Sequence, residues 1–113
     1  MHELAFTQQI LWQAEEAAGA YGLKKINEIK VVLGELLYIM PEALDFSFHV
    51  LKKGTMAEEA RLLAEYRKAL AQCDACSNRY SWLEYGYHCP KCKSQETRII
   101  QGMEMIIEYL EGE

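Results

Sequence analysis

The sequence predicts an α+β fold, in which a three-stranded sheet carries two helices on one face and a small cysteine-rich module is inserted before the last strand. Three observations lead to this prediction. Hydrophobic patterns typical of helix, strand, helix and strand follow one another, four cysteines are clustered between residues 73 and 92, and one more strand-like segment comes after them. With 113 residues, half of them hydrophobic, the chain is long enough for one packed core.

The first helix and strand lie in the N-terminal third of the chain. Apolar residues recur at helical spacing over residues 4–21, with glutamine and glutamate between them. Gly22 is a suitable helix stop. The following segment, "INEIKVVLGEL", alternates Ile29, Val31 and Leu33 with Lys30 and therefore predicts a strand.

The second helix is predicted to begin near Pro41, because proline suits the first turn of a helix, and to end near Gly54. The segments "ARLLAEYR" and "MEMIIEYLE" alternate as the second and third strands. The third strand has no partner in the cysteine-rich segment, so we expect it to return to the sheet. The connections "KALAQ" and "KSQETR", which flank the cysteines, are short and polar and are expected to act as hinges.

The cysteines form two pairs with the same spacing, Cys73 with Cys76 and Cys89 with Cys92, separated by 12 residues. Two residues between thiolates allow a tight knuckle to present both sulfurs to one ion, and two knuckles complete a tetrahedral zinc site. The intervening "RYSWLEYGYH" is expected to form a short hairpin around Gly86. A zinc ribbon is the favoured interpretation, against a redox dithiol, two disulfides or an iron–sulfur cluster.

These patterns divide the chain into an α/β domain, residues 1–70 and 97–113, and an inserted zinc-ribbon module, residues 71–96. A four-thiolate site has no open coordination position, so zinc there is expected to be structural. A module this small is expected to be unfolded without its metal.

Charge and hydropathy exclude several classes of partner. The 12 Lys and Arg against 17 Asp and Glu give a net charge of −5, which disfavours nucleic acid. No apolar run has the length of a membrane span, and the N-terminus has no pattern of a secretory signal. We therefore expect a cytoplasmic protein whose cysteines stay reduced unless a metal binds them.

Five segments together resemble one family. "MHEL", "LGEL", "PEALDFSFHVLKKGTMAEEARL", the two Cys-x-x-Cys pairs and "GMEMIIEYLE" occur in the order found in the HypA/HybF family of nickel metallochaperones. The resemblance implies a nickel ligand at His2 and structural zinc at Cys73, Cys76, Cys89 and Cys92. It also implies delivery of nickel to the large subunit of a [NiFe]-hydrogenase, or to urease, with the help of a GTPase partner.

The chemistry of the terminus agrees with that implication. The Met1 amine, the backbone nitrogen between residues 1 and 2 and the His2 imidazole can bind one ion through two fused chelate rings. Nitrogen donors in a square plane favour Ni(II) or Cu(II), whereas thiolates favour zinc. Glu3 is a candidate fourth donor, through its carboxylate or its backbone nitrogen.

Other interpretations remain open at this stage. His88, next to Cys89, is a candidate auxiliary ligand, although it also fits an exposed residue in a turn. The alternative function is a zinc-ribbon module that binds another protein or nucleic acid, and a third is a thiol–disulfide enzyme. No nucleophile–base pair or phosphate loop is evident, so we expect no enzyme activity. The chain is expected to be a monomer or a homodimer.

Overall fold

The structure is a computed structural model that describes residues 3–113, and the chain divides into two compact units. The first unit contains the described residues up to Val32, together with Ile39–Glu65 and Met105–Glu113. The second unit contains Leu33–Tyr38 and Tyr66–Glu104. None of the helices in this described part of the chain combines the length and the apolar composition that crossing a bilayer requires.

The regular elements follow the predicted order, with four short additions near the cysteines and a 3₁₀ turn after the first strand. In chain order they are α1 (Glu3–Ala20), β1 (Ile26–Gly34), a 3₁₀ turn (Glu35–Leu37), α2 (Pro41–Leu51), β2 (Arg61–Arg67), β3 (Leu70–Cys73), β4 (Arg79–Ser81), α3 (Trp82–Tyr85), β5 (Thr97–Gln101) and β6 (Met105–Gly112).

One three-stranded sheet has the order β2–β1–β6, so the strand after the cysteines returns to lie beside the first strand. The helix α1 packs against α2 and β6. The core of the first unit is aliphatic and aromatic, and includes Ile10, Ile29, Leu44 and Phe48, each at most 3% exposed. The predicted α+β class, the three-stranded sheet and the return of the last strand are confirmed.

The predicted helix boundaries are confirmed to within a few residues, with clear local causes. At the end of α1, Gly22 has φ +74°, and the N–H of Leu23 donates to the carbonyl of Ala18 at 2.9 Å. This is a Schellman motif, in which glycine accepts the left-handed conformation that other residues resist. The helix α2 begins with Pro41, where a missing N–H costs no hydrogen bond.

Charged groups link the three strands of this sheet. Glu28 on β1 is buried, and its carboxylate accepts hydrogen bonds from Arg61 on β2 and from the Tyr109 hydroxyl on β6. The Tyr109 hydrogen bond, and then Arg61, hold the pKa of Glu28 below its usual value although burial opposes them. Lys30, on the same central strand, lies 3.4 Å from a Glu108 carboxylate oxygen.

A second three-stranded sheet, in the order β4–β3–β5, forms the cysteine-rich unit. Both pairings are antiparallel, with Ala71 opposite Tyr80 on one side and opposite Ile99 on the other. The prediction that "KALAQ" and "KSQETR" are hinges is wrong, because most of the first segment lies in β3 and the end of the second begins β5. Residues 97–101, which lie outside the segment 71–96 predicted for the zinc ribbon, pair with β3.

The hairpin predicted around Gly86 is also wrong. Only Arg79–Ser81 is a strand, and it pairs with β3 rather than with the residues after Gly86. The chain then turns through the short helix α3, which ends where the Gly86 N–H donates to the Trp82 carbonyl at 2.8 Å. Gly86 has φ +58° and therefore ends the helix at low cost.

The "LGEL" segment belongs to this second unit. The Gly34 N–H donates to the Glu104 carbonyl and the Leu36 N–H to the Gly102 carbonyl, each at 2.8 Å. The Glu35 carboxylate accepts a hydrogen bond from the Ala69 N–H at 2.8 Å. A Cβ atom at position 34 would overlap the carbonyl of Gly102, so this close approach requires glycine.

Candidate metal centre

The four cysteine sulfurs converge on one point in the second unit. All four lie within 4.8 Å of one another, with Cys73 and Cys92 at 3.5 Å and Cys76 and Cys89 at 3.6 Å. Zinc–sulfur bonds of about 2.3 Å in a tetrahedron place sulfurs about 3.8 Å apart, so the donor set fits a single tetrahedral ion. The separations are far longer than the roughly 2.05 Å of a disulfide bond, which removes the two-disulfide interpretation.

Two knuckles with the same hydrogen-bond pattern hold these sulfurs in place. In the first, the Cys73 carbonyl accepts from the Ser77 N–H at 2.8 Å, and the Cys73 N–H donates to the Asn78 carbonyl at 2.9 Å. In the second, the Cys89 carbonyl accepts from the Lys93 N–H at 2.9 Å, while the Cys89 N–H donates to the Ser94 carbonyl at 3.0 Å.

In each knuckle the first cysteine is buried and the second is more exposed. Cys73 and Cys89 are 0% exposed, Cys76 is half-buried and Cys92 is exposed. The two buried cysteines belong to a small core with Ala71 and Tyr80, against which Cys76 and Trp82 pack. The metal ligands are thus a large part of what this unit buries.

The electrostatics of the four thiols favour a bound cation. Burial raises the pKa of Cys89, but the backbone N–H groups of Cys92 and Lys91 and the side chains of Cys76 and Asn78 outweigh it, and the pKa falls to about 6. At Cys92 the Ser94 backbone lowers the pKa, but the thiols of Cys73, Cys76 and Cys89 raise it to about 12. The neighbouring sulfurs thus oppose ionisation of Cys92, and a positive ion between them would remove that opposition.

Asn78 also contributes to the metal centre, and the sequence did not predict this role. Its side-chain amide lies 3.7 Å from the Cys89 sulfur, so an N–H from the first knuckle points at a ligand in the second. The Cys92 N–H also approaches the same sulfur, at 3.5 Å. Donors of this kind stabilise a thiolate and fix its orientation toward a metal.

Two of the other predicted ligands, His88 and Glu3, are among the described residues, and neither belongs to this cluster. His88 is exposed, its backbone N–H donates to the Tyr85 carbonyl at 3.2 Å, and its ring is absent from the group of convergent ligands in residues 3–113. Met1 and His2 lie outside the described residues. Glu3 is described: it begins α1, is 7% exposed, and its Oε2 lies 3.4 Å from the Met40 nitrogen.

Comparison with known proteins gives one family over the whole chain. Residues 1–112 match a family model described as hydrogenase/urease nickel incorporation, metallochaperone, HypA. A hydrogenase maturation factor HypA from Moorella thermoacetica is 38% identical over 113 residues, covering 100% of both chains. A protein of the same name from Aquifex aeolicus is 34% identical and covers 100% of this chain and 98% of its own.

A solved structure agrees with the sequence comparisons. The solution structure of the Ni metallochaperone HypA from Helicobacter pylori superposes with a TM-score of 0.74 at 28% identity, covering 99% of this chain and 97% of that chain. Together with the four-cysteine metal site, these similarities confirm the family predicted from the motifs. The chain belongs to the HypA family of hydrogenase maturation factors and nickel metallochaperones.

Proposed function

We propose that this protein carries Ni(II) at its N-terminus and delivers it to the large subunit of a [NiFe]-hydrogenase during maturation. The observation that carries the proposal is the match of residues 1–112 to the HypA model, which includes the "MHE" start and both cysteine pairs. The proposed ligands are the Met1 amine, the backbone nitrogen of residue 2, the His2 imidazole and Glu3. The family description also allows urease as the enzyme that receives the nickel.

The start of α1 supports the proposed chelate. Because α1 begins at Glu3, the N–H groups of its first turn have no acceptor within the helix. Ni(II) that displaces a proton from the Glu3 nitrogen, one of the two donors that Glu3 offers, would therefore break no helical hydrogen bond. The resulting negative charge would lie at the positive end of the helix dipole, where it is favoured.

Glu3 supports the proposal in a second way, because it is held by several contacts. The Thr7 hydroxyl donates to the Glu3 carbonyl at 2.7 Å, and the Glu3 carboxylate faces the Met40 N–H. A donor attached to an ordered helix start loses little entropy when it binds an ion.

In the same proposal, zinc at Cys73, Cys76, Cys89 and Cys92 is structural. When bound, zinc supplies the positive charge that keeps four thiolates together and closes the two knuckles. The closed donor set leaves no position for cargo, so nickel and zinc would occupy chemically different sites. Transfer of nickel is proposed to involve a GTPase partner, in the cytoplasm.

A calorimetric Ni(II) titration of the zinc-loaded protein tests the N-terminal site. We expect one tight site in the wild type and its loss both in His2→Ala and in a protein with one glycine added before Met1. Affinity should fall below neutral pH, because an amine with a pKa of about 7.7–8.0 and an imidazole near 6.5 must both lose protons.

His49→Ala is the matched control, because His49 is an exposed histidine on α2. It should leave the titration unchanged. Equal nickel binding in the wild type, His2→Ala and the extended protein would place the site elsewhere and refute the proposal.

A further inference from the structure

The two helices of the first unit form an acidic surface. The helix α1 contains three glutamates and α2 contains one glutamate and one aspartate, while neither helix contains Lys or Arg. Among the cations of the same unit, Lys25 pairs with Glu59 at 2.6 Å and Lys30 with Glu108 at 3.4 Å, whereas Lys52 and Lys53 directly follow α2. Of the five acidic residues only Glu3 is buried, so the exposed faces of the two helices themselves carry a net negative charge.

A groove of about 500 Å³ opens on this surface, beside the middle of α1 and the end of α2. Its base is apolar, since Leu11 is 5% exposed and the half-buried Leu51 lies next to it. One side is lined by Trp12, Glu15 and Glu16, and no Lys or Arg belongs to the lining.

Trp12 is the most distinctive feature of the groove. Its side chain is 63% exposed, which is unusual for a residue of this size. Positions three and four residues further along a helix lie beside it on the surface, so the carboxylates of Glu15 and Glu16 are its neighbours. Within residues 3–113 neither carboxylate has an ion-pair partner.

These three side chains form a combination that suits a cation. Tryptophan has the aromatic face that attracts a guanidinium or ammonium group most strongly, and flanking carboxylates add charge complementarity. The apolar base next to them suits an aliphatic side chain. Nucleic acid and anionic lipid are repelled by the same charges.

We propose that Trp12, Glu15 and Glu16 form a docking site for a basic segment of a partner protein. A Lys or Arg side chain of the partner lies over the indole between the two carboxylates, and a neighbouring apolar side chain enters the groove above Leu11. The proposal does not depend on nickel binding, because none of its residues is a proposed nickel or zinc ligand.

The test uses the full-length, zinc-loaded chain without nickel, and two blocked glycine–serine peptides. One peptide carries a leucine next to an arginine, and the other has citrulline, which is uncharged and of nearly the same shape, instead of arginine. The readout is the NMR signal of the Trp12 indole N–H, assigned with Trp12→Phe and distinct from that of Trp82.

We expect a saturable shift of the Trp12 signal with the arginine peptide, weakening as salt is added, and at least about tenfold weaker binding of the citrulline peptide. Trp12→Ala should lose binding, measured on backbone amides around Leu11. Glu15→Gln combined with Glu16→Gln should weaken it by a similar factor and leave the fold intact, because glutamine has the size and shape of glutamate and neither position is buried.

Phe46→Ala is the matched control, since Phe46 is 70% exposed on α2 but does not line the groove. It should bind the arginine peptide as the wild type does. The proposal fails if the arginine peptide does not bind, if both peptides bind equally, or if Phe46→Ala weakens binding as much as Trp12→Ala.

Discussion

Two residues in the metal knuckles adopt a backbone conformation that side chains resist. Ser77 has φ +66° and Lys93 has φ +68°, at equivalent positions four residues after the first cysteine of each pair. The left-handed region costs a residue with a Cβ atom about 1–2 kcal/mol, and glycine avoids this cost. Each knuckle is therefore strained at the residue that closes it.

Replacing Lys93 by glycine should relieve that strain. We expect Lys93→Gly to stabilise the zinc-loaded protein by up to about 1 kcal/mol, because the conformational gain exceeds the entropy that glycine adds to the unfolded chain. Urea unfolding with zinc in excess measures the change. The exposed contact from Lys93 to the Pro90 carbonyl, at 3.5 Å, contributes little.

Lys91→Gly provides the comparison, because Lys91 lies in the same knuckle and is not among the residues with positive φ in the described part of the chain. It should destabilise by about 0.5–1 kcal/mol, the ordinary cost of glycine. An equal loss of stability in both variants would contradict the strain at Lys93.

At the scale of elements, the turn after β1 is held by a close contact between two backbone segments, which leaves no space for a side chain at position 34. Gly34 and Leu36 donate to the carbonyls of Glu104 and Gly102, and a Cβ atom at position 34 would overlap the Gly102 carbonyl. Backbone cannot move aside as a flexible side chain can. The glycine of "LGEL" is therefore required by packing of the second unit.

Gly34→Ala should destabilise the protein by about 1–3 kcal/mol or more, as other overpacked sites do. The effect is measured by thermal unfolding of the zinc-loaded chain. Gly19→Ala is the matched control, because Gly19 lies in α1 and a Cβ atom there meets nothing within 4 Å. Gly19→Ala should stabilise the protein by about 0.5–1 kcal/mol. A lower unfolding temperature in both variants would argue against the overlap at position 34.

The same scale shows which parts of the fold a sequence can predict. The long elements α1, α2 and β1 were predictable, because each repeats its hydrophobic pattern over nine or more residues. The strands β3 and β5 were not, since they have four and five residues and are held by pairing with each other. The helix α3 was missed because it has only four residues, Trp82–Tyr85, and the surrounding segment alternates aromatic and polar residues as a hairpin does.

The metal centre likewise has features that the sequence predicts and features that it does not. The four cysteines were predictable from spacing alone, because ligand chemistry fixes both the residue type and the separation. Asn78 was not, because its role depends on the approach of one knuckle to the other. The strain at Ser77 and Lys93 was also hidden, since neither residue type indicates a left-handed backbone.

For the whole molecule, the two units differ in what stabilises them. The first buries large aliphatic and aromatic side chains such as Ile10, Leu44 and Phe48. In the second, two of the four residues of the buried cluster are the cysteines Cys73 and Cys89. A unit whose core consists largely of metal ligands depends on its metal for stability.

Removal of zinc by a chelator under reducing conditions should therefore affect the units differently. We expect the amides of β3, β4 and β5 to lose protection from hydrogen exchange, because the thiols are left buried without a cation. Amides of α1 and β1 up to Val32 should keep theirs. Loss of protection in α1 to the same extent as in β3 would show that the first unit also depends on zinc.

The sheet order β2–β1–β6 has a consequence for synthesis on the ribosome. The second unit needs nothing beyond Glu104, so all of its strands leave the exit tunnel before β6 does. During that interval the central strand β1 has β2 on one side and an open edge on the other. All strands of the cysteine-rich unit are thus translated before β6, the strand that closes the open edge of β1, becomes available.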